Sequence, residues 1–264
     1  MSTHRCTGFS GQWILMPEPL SHANHDPRWG SKDRERKAVA IWQTLLHYAG
    51  PSLPTQHWVD IGCGSGGIAA HLAPKVGEML GIDPEPWPRW ANWMQQNANL
   101  KFVQGSYDHV PADLAAASVD VVICNQVYEH VADPIALIRF IHQILKPDGY
   151  CYFAGPNMLF PIEPHVFWPF VHWLPRNRAI QLMRMLGSAR ADDLDAYSTH
   201  FWQLKRWLSP HFTISNAVPF MITEVIPAQH EGLFWKVLAF LPRRLLVALT
   251  PLTPGFVFVL KKTV

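Results

Sequence analysis

The sequence predicts an α/β fold: a doubly wound, mostly parallel sheet of seven strands with helical inserts. Three observations carry that expectation. Short apolar strands alternate with helices from 57 to 155. A glycine-rich turn, "VDIGCGSGG" (59–67), lies where the first strand should enter the first crossover helix. Two further strand-like runs, "FTISNAV" (212–218) and "GFVFVLKK" (255–262), complete the set. Strands joined by crossover helices run parallel and are covered on both faces, which is why they appear as near-continuous apolar runs.

Residues 1–30 are rich in Pro, His and Trp without a period, and are expected to form a tail that covers the domain or moves freely. The domain itself is expected over 31–264. Ser31 is placed to cap a helix whose apolar side is Val39, Trp42, Leu45, Leu46 and Ala49, ended by Gly50-Pro51. Strands are predicted at 57–61, 79–83, 101–104, 119–124 and 150–154, and helices at 66–74, 89–97 and 133–145. The last helix has the clearest signals. Asp133 caps it, Pro134 occupies its first turn, and Ile135, Ile138, Ile141 and Leu145 form one stripe before Lys146-Pro147. Residues 156–200 break the rhythm with prolines, glycines and aromatics, then a helical segment near 179–186; this insert is placed to cover an acceptor pocket as a lid. A second insert, 219–254, is unusually apolar.

At 264 residues the chain can bury one substantial core. Charged residues are 16% and apolar residues 48%, with 12 Trp, a globular rather than disordered composition. A formal charge of +2 gives no argument for a nucleic-acid partner. Cys6, Cys63, Cys124 and Cys151 show no paired spacing, which fits a reducing, cytoplasmic compartment. The apolar run 13–16 is too short for a signal-peptide core, and no run of ~18 apolar residues exists to span a bilayer. A soluble protein is expected, with at most a weak peripheral hold on a membrane.

In an open parallel sheet, ligands sit beyond the carboxyl ends of the strands where strand order reverses. Gly62, Gly64 and Gly67 match G-x-G-x-x-G, and glycines there let a ligand approach the backbone. No Lys-Ser/Thr follows, so this is not a P-loop. Asp83 ends the next strand, 21 residues after Gly62, where a carboxylate accepts hydrogen bonds from ribose hydroxyls. Asp60, two residues before Gly62, would repel a diphosphate and favour a cationic ligand end such as an amino group or sulfonium.

These segments resemble the class I S-adenosylmethionine-dependent methyltransferases. "VDIGCGSGG" looks like their first motif and "GIDP" (81–84) like their acidic second strand end. "VQGSYDHVP" (103–111), "VDVVICNQVYEHVADP" (119–134) and "LKPDGYCYFAGPN" (145–157) resemble the adenine-flanking, fourth-strand and fifth-strand regions in the same order. The resemblance covers about 57 to 157 and implies a Rossmann-like sheet whose antiparallel last strand is "FVFVLKK". It also implies S-adenosyl-L-methionine as cofactor, with Gly62, Cys63 and Gly64 at the methionine end. Asp83 and Pro84 would lie at the ribose, Gly105, Ser106 and Tyr107 by the adenine, and Asn125, Gln126 and Val127 along the sulfonium side. Relatives often carry an acidic residue at 106; here Ser106 or Asp108 would accept from the adenine amino group.

The cofactor of such enzymes brings its own electrophile, so the protein orients, excludes water and removes a proton where needed. Glu129 and His130, in the loop past the fourth strand, are the catalytic candidates, His130 as general base for a hydroxyl acceptor; setting the entry to the next helix is the alternative. "QVYEH" with His165 also resembles the Glu/His metal arrangement of ubiquinone-pathway and small-RNA 2′-O-methyltransferases, but Gln126 stands where a first acidic ligand is expected. Glu163 and His165, among the aromatics of the 156–200 insert, are the substrate-binding candidates. "GLFWKVLAFL" (232–241), followed by Pro242, Arg243 and Arg244, suits either a buried cap or dimer contact, or an interfacial element on anionic lipid. The expected activity is O-methylation of a small, lipid-linked or glycan-type acceptor. Two rivals remain. A nicotinamide-dependent oxidoreductase shares the glycines and Asp83 but gives Asp60 no favourable partner. A non-catalytic methyltransferase-like binding module shares every motif.

Overall fold

A computed structural model describes residues 6–7, 13–14, 33–109, 114–163, 166–194, 198–230 and 232–263. The main sheet has seven strands: β1 (His57–Ile61), β2 (Glu78–Asp83), β3 (Leu100–Gln104), β4 (Val119–Asn125), β5 (Leu145–Pro156), β6 (Phe212–Asn216) and β7 (Gly255–Lys262). Their spatial order is 3-2-1-4-5-7-6. β7 runs antiparallel to both of its neighbours, while β1 to β5 pair in parallel. The predicted doubly wound sheet with its antiparallel last strand is present. Outside it, Cys6–Thr7 pairs with Trp13–Ile14. The rest of the 1–30 tail and the Ser31 cap lie outside the described residues.

Side chains alternate between the two faces of each strand, and each face has its own core. One face carries Val59, Ile61, Val122, Cys124, Phe153, Phe256 and Phe258. Against it pack α4 (Pro134–Ile144) and α6 (Phe201–Leu208), through Leu137, Ile138, Ile141, Phe201 and Leu204. The other face carries Trp58, Val121, Ile123, Tyr152 and Val259. It is covered by α1 (Arg34–Ala49), α2 (Gly67–Leu72) and α3 (Trp90–Gln96). Helices on opposite faces on either side of the β1/β4 pair leave a crevice at the carboxyl ends of those two strands, where strand order reverses.

Asp133 caps α4 as predicted, its Oδ1 accepting from the N–H groups of Ile135 and Ala136 at 2.9 Å each. The stripe needs correcting at both ends. Ile135 is exposed, and Leu145 already belongs to β5, because Lys146 and Pro147 continue the strand. The apolar side of α1 is also turned by about one residue from the expected one. Ala38, Ile41, Thr44 and Leu45 are buried, whereas Val39 and Leu46 face out.

The 156–200 insert has its own small core of Val166, Val171, Ala179, Met183, Ala191 and Leu194. It contains α5 (Arg176–Met185) and a short hairpin pairing Ile162–Glu163 with Trp168–Pro169. In the second insert, a helical run over 218–229, with a π-helical segment Met221–Val225, leads to α7 (Leu233–Ala239) and α8 (Arg243–Leu249). The apolar run 232–241 forms α7, which Pro242 cannot continue, and the run after it forms α8.

Candidate functional site

The glycine turn after β1 is built on left-handed backbone, with φ of +67° at Gly62, +52° at Gly64 and +78° at Gly66. The Gly62 and Cys63 N–H groups donate to the Ile82 carbonyl at 2.8 and 3.1 Å, which ties the turn to the end of β2. A Cβ on Gly62 would sit 2.5 Å from Val127 Cγ2, so the turns after β1 and β4 touch across the switch point. A Cβ on Gly66 would meet the Phe102 ring, with Cε1 at 2.6 Å. Two of these glycines are therefore demanded twice, by backbone sign and by space.

The outer side of the turn is held by α3. Trp90 Nε1 donates to the Gly64 carbonyl at 2.8 Å and Trp93 Nε1 to the Ser65 carbonyl at 3.1 Å. Trp90 stacks on Phe102 with ring centroids 5.1 Å apart. Neither tryptophan was singled out from the sequence. Their spacing of three along the helix after β2 was visible, but it marks a shared face, not a partner.

Asp83 ends β2 beside the glycine turn. Its Oδ2 accepts from the Gly64 N–H at 2.8 Å and its Oδ1 from the Glu85 N–H at 3.1 Å. Burial raises its pKa, and those backbone donors pull it back. Asp60 shares a strand face with Trp58, two residues earlier, and so points toward α1. It is 2% exposed, and burial pushes its pKa up to about 7 despite the Arg34 guanidinium, with Asp83 raising it further. Arg34 is packed against the start of α2: a Cβ on Gly67 would lie 2.9 Å from Arg34 Cβ. The carboxylate thus meets an intramolecular cation, a partner the sequence reading did not supply. Burial, Asp60 and Asp83 together raise the Cys63 thiol.

The loop after β3 is tied to the same edge. The Gly105 N–H donates to the Asp83 carbonyl at 3.0 Å, and Gln104 Nε2 to the Pro84 carbonyl at 2.9 Å. The Ser106 hydroxyl donates to Asp108, whose carboxylate also meets His109 Nδ1 at 3.3 Å. With the hydroxyl hydrogen committed, Asp108 is the stronger acceptor of the two. The Tyr107 hydroxyl accepts from the Asp133 N–H at 3.3 Å, which joins this loop to the start of α4.

Past β4, Asn125 pairs with Ala154 in register, and Gln126 adopts φ +60° while its N–H donates to the Ala154 carbonyl at 2.8 Å. A left-handed glutamine at the carboxyl edge of a sheet is stored backbone strain. The His130 N–H closes a turn onto the Val127 carbonyl at 2.9 Å, and His130 is half-buried with its Nε2 closed off from solvent. Glu129 differs: it is fully buried, beside Tyr128 and close to Gly155, where an added Cβ would lie 3.2 Å from Glu129 Oε2. The Tyr128 hydroxyl donates to the Pro156 carbonyl and accepts from the Thr199 N–H, stapling the 156–200 insert to this loop.

Glu163 is buried, and its Oε2 accepts from the Val166 N–H at 2.7 Å, so it closes the insert's own turn. His165 lies outside the described residues, and the Glu129–His130–His165 metal arrangement goes with it.

A family model described as a methyltransferase domain matches residues 32–195. Among curated proteins, the chain is similar to the ubiquinone biosynthesis O-methyltransferase of Acinetobacter baylyi. The two are 32% identical over 103 residues, which is 38% of this chain and 43% of that one. The match thus spans less than half the length of that relative. Among solved structures, it is similar to Haemonchus contortus phosphoethanolamine N-methyltransferase 2 in complex with S-adenosyl-L-methionine. That likeness has a TM-score of 0.54 at 16% identity, over 86% of this chain and 52% of that one. It is also similar to Burkholderia thailandensis 1,6-didemethyltoxoflavin-N1-methyltransferase with bound 1,6-didemethyltoxoflavin and S-adenosylhomocysteine. There the TM-score is 0.53 at 17% identity, over 90% of this chain and 82% of that one. At such identities the likeness shows the fold.

Proposed function

Since the chain belongs to the methyltransferase-domain family, we propose that it methylates oxygen on a small, lipid-linked or glycan-type acceptor, with S-adenosylmethionine as donor. The observation that carries the reading is the Asp83 carboxylate, held by the Gly64 N–H at the end of β2 beside three left-handed glycines.

The residues fit that cofactor. Asp83 retains lone pairs for two ribose hydroxyls, and the Gly62–Gly64 backbone, bare of side chains at both glycines, leaves room for the methionine end. Gly105, Tyr107 and Asp108 flank the adenine, and Asn125, Gln126 and Val127 line the sulfonium side. S-adenosylmethionine, when bound, supplies an electrophilic methyl group on a cationic sulfur. The protein's part is to orient, to exclude water and to take a proton. His130, in the loop past β4, accepts the hydroxyl proton of the acceptor. Glu129, closed off from solvent, positions this loop rather than touching the acceptor, and the 156–200 insert covers the pocket. The nicotinamide reading is set aside: the family match and β7 between β5 and β6 both favour methyl transfer.

Transfer of labelled methyl into a cell extract, fractionated into lipid, glycan, protein and RNA, tests the reading. Label in the lipid or glycan fraction is expected. Label confined to RNA or protein, or tight S-adenosylhomocysteine binding with no transfer at all, would overturn it.

Two measurements check the site itself. Trp90→Phe keeps the stack on Phe102 and removes one neutral hydrogen bond to the turn, worth about 1 kcal/mol. A thermal midpoint lower by about 2–4 °C is expected, with a roughly threefold weaker affinity for S-adenosylhomocysteine by calorimetry. The second concerns Asp60. Its folded pKa of about 7 lies above the unfolded value, so folding takes up a proton between about pH 4 and 7, and apoprotein stability falls as pH rises through that window. A cationic ligand end favours the ionised carboxylate, so S-adenosylmethionine should bind more tightly at pH 8 than at pH 6. A one-unit drop in that pKa on binding corresponds to about tenfold. Asp60→Asn should flatten both dependences; an unchanged affinity profile in the variant would count against the electrostatic role.

A further inference from the structure

On a soluble domain, the outward side of a surface helix is polar. The consecutive helices α7 and α8 invert that rule. In α7 the outward positions are Leu233, Lys236, Val237 and Phe240, spaced i, i+3, i+4, i+7, with Leu233 76%, Val237 57% and Phe240 89% exposed. In α8 and the turn after it, Leu245, Ala248, Leu249 and Leu252 repeat the same spacing and are likewise exposed. Within α8 only Leu246 is buried. The two helices are joined through Phe240-Leu241-Pro242, so the 89% exposed Phe240 stands at the bend. Residues 232–254 carry Lys236, Arg243 and Arg244 and no acidic residue. Arg243 lies near Tyr48 of α1, and Lys236, Arg243 and Arg244 are all exposed.

We propose that this α7–α8 segment docks the protein on an anionic lipid surface, with Phe240 and the outward leucines entering the interface and Lys236 and Arg244 at headgroup level. The sign of the charge selects the occupant. A second copy of the same face would set these cations against one another, whereas anionic headgroups neutralise them. No described helix is long and apolar enough to cross a membrane, so the contact is peripheral. Both helices are short, so the hold is reversible and shared between apolar burial and charge. The inference stands on exposure and charge alone and does not depend on the methyl-transfer chemistry.

Flotation with vesicles of phosphatidylcholine containing 30% phosphatidylglycerol tests it, with pure phosphatidylcholine as comparison. The full chain should float with the anionic vesicles and stay behind with the neutral ones, and its partition should fall as NaCl is raised. Each reversal, Lys236→Glu or Arg244→Glu, should lower partition by at least about fivefold, and Phe240→Ser by about tenfold. These side chains are exposed and outside the proposed active site, so the thermal midpoint and S-adenosylhomocysteine affinity should hold, and a failed methyl-transfer reading would leave flotation unaltered. Protein left in solution with both vesicle types, or equal partition to both, would overturn the proposal. So would a dimer seen by light scattering that Phe240→Ser dissociates, since the face would then be a contact between copies.

Discussion

Asp83→Ala should weaken S-adenosylhomocysteine binding by about 100-fold or more and abolish measurable turnover, with the protein still folded. The carboxylate carries two loads. It accepts the Gly64 N–H at 2.8 Å, which sets the turn, and it is the proposed anchor of two ribose hydroxyls. Hydrogen bonds to a charged group contribute about 1.5–3 kcal/mol each, so losing both ribose contacts alone amounts to two to four orders of magnitude. The fold should tolerate the change, because burial already raises the pKa of this group and its ionised form is a burden on the apoprotein. Asp83→Asn is the sharper variant: it keeps the shape but turns an amide donor toward N–H groups. Calorimetry on both, beside a thermal melt, decides. Affinity within about threefold of the unchanged protein would remove Asp83 from the site.

Gly66→Ala should be the most destabilising single methyl in the turn, at about 3–4 kcal/mol. About 1–2 kcal/mol comes from forcing an L-residue into the left-handed region at φ +78°. The rest comes from overlap with the Phe102 ring, since overpacking a core costs about 1–3 kcal/mol. Gly81→Ala separates the two contributions. Its Cβ would also overlap the Phe102 ring and lie 2.9 Å from Cys63 Sγ, without a positive φ. Phe102→Leu should therefore rescue most of the loss at Gly81 and only part of it at Gly66. Urea titrations of the three single and two double variants, read as double-mutant cycles, should give a favourable coupling of about 1–2 kcal/mol in each pair. A coupling near zero would mean that the ring gives way freely and that the turn is less tightly packed than its contacts imply.

How far the sequence could be followed differs by element, for physical reasons. β4 was legible because six of its seven residues are buried and five of those are apolar; the sixth, Asp120, is held by the His57 N–H and Lys146 Nζ. Asp83 and the glycine turn were legible because backbone sign and ribose chemistry each restrict the residue type. α6 escaped notice although Phe201, Leu204 and Leu208 form a regular buried stripe, since it follows a long irregular stretch without a strong start signal. The helical run over 218–229 was obscured by Pro219 and Pro227, which locally argue against a helix. Arg34, Trp90 and Trp93 could not be placed at all. Their roles follow from how α1 and α3 pack over the turn, and the spacing of residues along one helix carries no record of what lies across from it. The same blindness affected Asp60, whose charge was visible but whose nearest cation was not.

The position of β7 bears on how the molecule is made. Gly255 pairs with Pro156 and Lys261 with Tyr150, so β5 waits for a partner about a hundred residues downstream. During synthesis, the five parallel strands can assemble with the outer border of β5 bare, a row of unsatisfied amide and carbonyl groups along a largely apolar ribbon. The nascent chain is most open to self-association in that interval, and holding it apart until 255–262 emerges from the ribosome is a service a chaperone could render.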